Sequence, residues 1–255
     1  MERKKLRRMS KSANAYILIA ILLILFLMIL GTSVFLNIVE ISVSGTSIYK
    51  DNDVIEASGI EPGRNMLFVD KDGAKQKIYS AMPYVSEISV ELDLPDKVQI
   101  IISETKALAV IEDADGYLLI DPKCKILERV SSLPGGAIEV RGITPVDVRI
   151  GSVLKVASGE DSRLRYVQEV LAAIDAAGIV DGFSYLDVTN LGNVNLGYMD
   201  LFTVVLTGSS SAAAKLGKLP EAIVDVKKDP NFDDTARYRI DIPDSSGAWI
   251  WTPEW

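Results

Sequence analysis

From Ala15 to Leu36 the chain runs 22 residues without a charge, fifteen of them Leu, Ile, Val or Phe. As a helix this stretch is about 33 Å long, enough to cross the hydrocarbon layer of a bilayer. Beyond it the apolar residues fall into short periodic runs. Val39 to Ser44 alternates apolar and polar positions before Gly45-Thr46, which predicts a half-buried strand. Lys50 to Ser58 carries Val54, Ile55 and Ala57 and meets Gly59, a short helix with a glycine stop. After the loop Glu61 to Asn65, Asp70 can cap a second helix that reaches about Ala81 and ends before Pro83. Ile88, Val90 and Leu92 then alternate with Ser89, Glu91 and Asp93. Leu94-Pro95-Asp96 turns the chain, and Val98, Ile100 and Ile102 return it as a hairpin with one buried face. Residues 39–104 therefore predict β-α-α-β-β, with two helices covering one face of a three-stranded sheet.

The second half is less regular. Ala109 to Ile111 is expected to pair with Tyr117 to Ile120 across a turn containing Asp115-Gly116. Residues 134–156, rich in Gly, Pro and Val, predict only irregular strands and loops. Asp161 to Ala177 has Asp161 or Ser162 as cap, Leu164, Val167, Leu171 and Ile174 on one stripe, and Gly178 as stop. Strands follow at 185–188, 194–198 and 202–206, the last two turning near Met199-Asp200. A polar stretch, Gly208 to Ser211, leads into a helical segment over 212–227 that Gly217 and Pro220 weaken. Strands at 238–242 and 248–252 complete the pattern. The last one sets Trp249 and Trp251 on one face and Ala248, Ile250 and Thr252 on the other. The fold class is α+β: one N-terminal transmembrane helix, the β-α-α-β-β domain, then a mixed β-rich domain with one or two helices.

Charge gives the chain a direction. Arg3, Lys4, Lys5, Arg7, Arg8 and Lys11 precede the apolar segment, and the next basic residue is Lys50, so the N-terminus is expected in the cytoplasm and the bulk outside. A cleaved signal peptide fits less well, because the apolar run exceeds the usual ~7 to 15 residues. Beyond the tail the net charge is −13, which disfavours nucleic acid and anionic polymers. Chemistry is scarce. With no histidine and a single cysteine, Cys124, the chain lacks Ser-His and Cys-His nucleophilic pairs, a disulfide and the usual zinc centres. No glycine-rich phosphate loop is present, and Ser209 to Ser211 before Lys215 lacks Ser-x-x-Lys spacing. Asp113/Asp115, Glu160-Asp161 and Asp233-Asp234 are the carboxylate clusters a hydrolase would draw on. Each sits among turn and cap residues, and Asp113/Asp115 lacks the remaining ligands of a calcium loop. No catalytic residue, cofactor, metal or small-molecule substrate is expected.

Certain residues carry a resemblance. Ser58-Gly59-Ile60, Gly63, Asn65 and Leu67, followed by Pro83-Tyr84-Val85, Val90, Leu94-Pro95 and Glu104, stand in order behind a single anchor. This arrangement resembles the polypeptide-transport-associated (POTRA) domain of the bacterial cell-division proteins FtsQ and DivIB. The Asp241-Ile242 pair and Ser246-Gly247-Ala248 are similar to the end of that family's β domain. The resemblance implies a tail over 1–14, a transmembrane helix over 15–36, a POTRA-like domain over 38–105 and a β domain over 106–255. It further implies a non-enzymatic divisome scaffold whose C-terminal edge receives a strand from FtsB/DivIC-like bitopic proteins, which pair with FtsL-like ones. Asp241, Ser246, Gly247, Ala248, Trp249, Ile250 and Trp251 would form the docking edge. The alternatives are a membrane-tethered cell-wall hydrolase using paired carboxylates, and a POTRA-bearing secretion or insertion factor.

Overall fold

The computed structural model describes residues 11–207, 211–242 and 249–254. Its first element, α1 (Lys11–Phe35), is a 25-residue helix, so the stretch expected to span a membrane is helical and begins four residues earlier than expected. Among the described residues, however, no helix is long and apolar enough to cross a membrane. The described side chains of α1 run without a break only from Tyr16 to Met28, about 20 Å of helix, and all of them are exposed.

The remaining elements fall into two compact units. One comprises the chain up to Ile78 together with Glu87–Glu104, and the other Tyr79–Ser86 with everything from Thr105 onward. In the first, β1 (Glu40–Ser44), α2 (Asp51–Ser58), α3 (Lys71–Ala81), β2 (Val85–Asp93) and β3 (Lys97–Glu104) follow the predicted β-α-α-β-β order. Gly59 closes α2 at φ 68°, a left-handed conformation that glycine adopts without a Cβ clash. Asp70 caps α3 as expected, its carboxylate accepting the Gly73 N–H at 2.9 Å. A single 3-10 turn, Met66–Phe68, lies in the loop between the helices, with the Asn65 side chain accepting from Leu67 N–H. The sheet order is β1-β3-β2 and β1 runs parallel to β3, the first pair being Glu40 and Lys97. Alternation puts Val98, Ile100 and Ile102 inside with Val54, Ala74 and Ile78 of the helices. Each such large aliphatic side chain contributes roughly 1.5 to 3 kcal/mol by leaving water.

The second unit is built on one nine-stranded mixed sheet. Its strands are β4 (Ala109–Asp113), β5 (Gly116–Ile120), β6 (Ile126–Val130), β7 (Ile138–Arg141), β10 (Phe183–Asp187), β11 (Asn193–Tyr198), β12 (Phe202–Thr207), β13 (Arg237–Ile242) and β14 (Ile250–Glu254). A separate two-stranded ribbon joins β8 (Pro145–Val146) and β9 (Lys155–Val156). The order across the large sheet is β14-β13-β12-β11-β10-β7-β4-β5-β6. Inward residues of the strands share one core with the buried stripes of α4 (Asp161–Ala177), α5 (Ala212–Leu216) and α6 (Leu219–Lys227).

Several expectations shift. The irregular stretch at 134–156 contains β7, which lies at the centre of the sheet and pairs in parallel with both β4 and β10. The helix over 212–227 is two helices, because α5 ends at Gly217 and Pro220 sits in the first turn of α6. The N-cap of α4 is Glu160 rather than Asp161 or Ser162, and it makes no side-chain cap bond. Its carboxylate instead accepts the Thr144 N–H at 2.6 Å. The final strand starts two residues later than predicted, at Ile250.

Candidate functional site: the C-terminal sheet edge

Strand β14 is an outermost strand of the large sheet and pairs antiparallel with β13, Ile250 opposite Asp241 and Trp251 opposite Ile240. The direction of its backbone groups follows from its neighbour. Tyr238 N–H donates to Leu201 O at 2.8 Å, which turns the peptide groups of Tyr238 and Ile240 toward β12. Arg237, Arg239 and Asp241 must then exchange hydrogen bonds with Glu254, Thr252 and Ile250. Trp251 and Pro253 consequently direct their backbone groups away from β13, where no further strand lies among the described residues. Trp251 offers an N–H and a carbonyl, whereas Pro253 offers a carbonyl alone.

An aromatic cluster holds this edge in place. Tyr238, fully buried, lies 6.2 Å from Phe202, 5.1 Å from Phe232 and 5.9 Å from Trp251, ring centre to ring centre, and the Trp251 indole meets it edge-on at 67°. The Tyr238 hydroxyl accepts the Asp233 N–H at 2.7 Å, tying the loop before β13 to the same cluster. Trp249 also packs partly buried against the core. The two indoles thus face inward, and Ile250, 64% exposed, faces outward on the side of Asp241. Arg239 grips both carboxylate oxygens of Asp241 at 2.9–3.1 Å, two residues apart on one strand face. Of the residues expected to form the docking edge, the structure brings together Asp241, Trp249, Ile250 and Trp251. Ser246, Gly247 and Ala248 lie outside the described residues. The parts that the sequence reading missed are Tyr238, Arg239 and Pro253. The strict alternation Arg-Tyr-Arg-Ile-Asp-Ile already carried the first two, and the missing N–H of proline the third.

The opposite edge is built differently. On β6, Ile126 N–H donates to Ser152 O at 2.9 Å and its carbonyl accepts Gly151 N–H at 2.7 Å, so a loop covers the strand's start. Lys125 and Val153 form a bridge beside it.

The carboxylate clusters have structural partners. Arg129 bridges Asp113 and Asp115 at 2.7 and 3.2 Å across the β4–β5 turn. Asp233 accepts the Thr235 hydroxyl and N–H, which hold its carboxyl below the usual range, the hydroxyl contributing most. Ser211 accepts the Ala214 N–H as the cap of α5. Among the described residues no group of three or more acidic or cysteine side chains is placed to hold a metal ion.

Residues 36–105 match the family described as "POTRA domain, FtsQ-type". A cell division protein DivIB of Clostridium botulinum (strain Hall) is 28% identical over 229 residues, covering 89% of this chain and 85% of that protein. The Clostridium acetobutylicum DivIB is 28% identical over 137 residues, and there the match spans about half of each chain, 53%. A cell division protein FtsQ of Corynebacterium glutamicum is 28% identical over 149 residues, 57% of this chain and 66% of that protein. Residues 36–105 thus form a POTRA domain of the FtsQ type, in a chain similar to the cell division proteins DivIB and FtsQ.

Within that family frame the residues that carried the resemblance have concrete tasks. Gly59 is the left-handed stop of α2, Asn65 caps the 3-10 turn, and Leu94-Pro95 is a cis peptide in the β2–β3 turn. Glu104, last in β3, accepts from the Thr46 hydroxyl at 2.5 Å, the Ser47 hydroxyl and N–H at 2.7–3.0 Å, and Ile48 N–H at 2.9 Å. Burial raises its carboxyl, but these donors outweigh burial and bring it down to about 2. FtsQ/DivIB relatives are named as division proteins and not as enzymes.

Proposed function

We propose that this chain is a bitopic scaffold of the bacterial division septum, which α1 anchors with its basic tail in the cytoplasm and its two units outside. Thirteen consecutive exposed, mostly aliphatic side chains on one helix would be unfavourable in water and suit lipid. The names of the relatives support the division role. The scaffold recruits and stabilises FtsB/DivIC-like and FtsL-like bitopic division proteins by protein contacts, and it works by assembly without turnover.

The observation that carries the proposal is the open edge of β14: outward backbone groups at Trp251 on a strand that an aromatic cluster locks in place. An extended segment of an FtsB/DivIC-like partner would pair there as a further strand, its affinity coming from main-chain hydrogen bonds. The test measures partner binding to the full chain in detergent micelles. Trp251→Pro deletes the outward N–H and is expected to weaken binding more than tenfold, while Trp251→Ala, which keeps that N–H, stays within about threefold. Equal affinities for the two folded variants would refute docking at this edge. Proline at Ile250 does not serve, because that N–H faces β13 and its loss breaks the domain's own hairpin.

A further inference from the structure

Five large apolar side chains stand exposed where the chain leaves α1: Phe35, Val39, Leu67, Phe68 and Leu94, each more than half exposed and Phe68 the most at 86%. They come from three separate stretches of sequence, which backbone hydrogen bonds gather at one end of the first unit. Met66 N–H donates to Leu36 O at 2.7 Å, Ile38 N–H to Arg64 O at 2.9 Å and Val39 N–H to Asp96 O at 2.8 Å. Because β1 and β3 are parallel and start together at Glu40 and Lys97, the Leu94–Asp96 turn lies at that same end. Among the described residues of the unit outside α1, the remaining exposed large apolar residue, Ile48, is at the opposite end. Its N–H donates to Glu104 at the close of β3, about 23 Å of strand away. Scattered exposed apolar residues need no explanation, but five around one helix exit do.

We infer that this end of the POTRA-type unit rests on the bilayer surface, with Val39, Leu67, Phe68 and Leu94 entering the boundary between headgroups and acyl chains. The occupant follows from chain continuity: if α1 is the anchor, Val39 is four residues from its last residue and cannot lie more than about 14 Å from it. The charges nearby suit a shallow seat. Arg64 pairs with Glu61 at 2.8 Å and Lys97 with Glu40 at 2.8 Å, while Asp93 and Asp96 beside Leu94 keep the turn at headgroup depth. The inference rests on the anchored reading of α1, and the experiment separates the two.

Full-length chain is reconstituted in vesicles of phosphatidylethanolamine and phosphatidylglycerol, with an environment-sensitive fluorophore attached through Phe68→Cys, Ile48→Cys or Phe26→Cys. All three positions are exposed, so the fold tolerates the changes. The native Cys124 does not compete, since burial and then the neighbouring Asp121 push its thiol up to about 12. Spin-labelled lipids are expected to quench the label at 68 several-fold, and at 26 as well, while the label at 48 stays bright. Quenching at 26 with 68 behaving like 48 overturns the inference, leaves the anchor standing and assigns the apolar end to a protein partner. No quenching at 26 overturns both.

Discussion

The two edges of the nine-stranded sheet meet the same problem, a row of backbone groups without a neighbouring strand, and handle it in opposite ways. At β6 the loop 151–153 supplies a donor and an acceptor to Ile126, and Leu154 is buried beneath it with its N–H on Cys124 O. At β14 no segment among the described residues covers Trp251. Uncovered edges invite intermolecular pairing, so among the described residues it is β14, and not the start of β6, that keeps backbone groups available for a further strand.

The difference can be broken from either side. The largest effect is expected for Tyr238→Ala, which empties the centre of the aromatic cluster. It should cost about 3 to 5 kcal/mol in urea unfolding and expose β14 to hydrogen exchange while β6 stays protected. Uniform loosening of both edges would show that the cluster is not what holds the open one. Leu154→Ala attacks the covered edge: about 3 kcal/mol of stability lost, with the Ile126 N–H exchanging faster and the Trp251 region unchanged. Trp251→Ala removes a partly exposed indole, so about 1 to 2 kcal/mol is expected, and a loss as large as that of Tyr238→Ala would mean the strand depends on the indole more than on its ladder.

The smallest prediction separates the first unit from both edges. Since Glu104 in the folded chain sits at about 2, below the ordinary 4.5, its stabilisation is complete above 4.5 and is lost as pH falls toward 2. Glu104→Gln should cost roughly 1 kcal/mol at neutral pH and flatten that acid limb, leaving exchange at β6 and β14 as in the parent. An acid limb that persists in the variant would assign it to other carboxylates.

Much of this architecture was legible because its signals are local. The apolar alternation of Ile88 to Leu92 and Val98 to Ile102, the glycine stops at Gly59 and Gly178, and the Met199-Asp200 turn, with φ of 53° and 57°, each act within a few residues. What was not legible is long-range. Ile138–Arg141 is a four-residue strand between glycines and prolines, and only its pairing with β4 and β10 makes it central. In 212–227 the weak points Gly217 and Pro220 were visible, but that they split the segment into two helices, with Leu216 and Leu219 both in the core, was not. At the candidate site, alternation placed both indoles on one face of the last strand, but which face meets the core depended on Tyr238, thirteen residues upstream of Trp251. The carboxylates looked equivalent in sequence and became distinguishable only through partners such as Arg129 and Thr235.

If β14 docks a strand as proposed, Pro253 favours a foreign strand over a second copy of this chain. Two copies meeting antiparallel through a two-fold axis would each bring a proline to the seam, and every ladder bond missing on one half would be missing again on the other. A foreign strand forfeits that bond once and can place a side chain or a turn opposite the gap. Under that proposal one imino acid in the border strand would tilt the competition toward hetero-pairing without altering the surface that a partner reads.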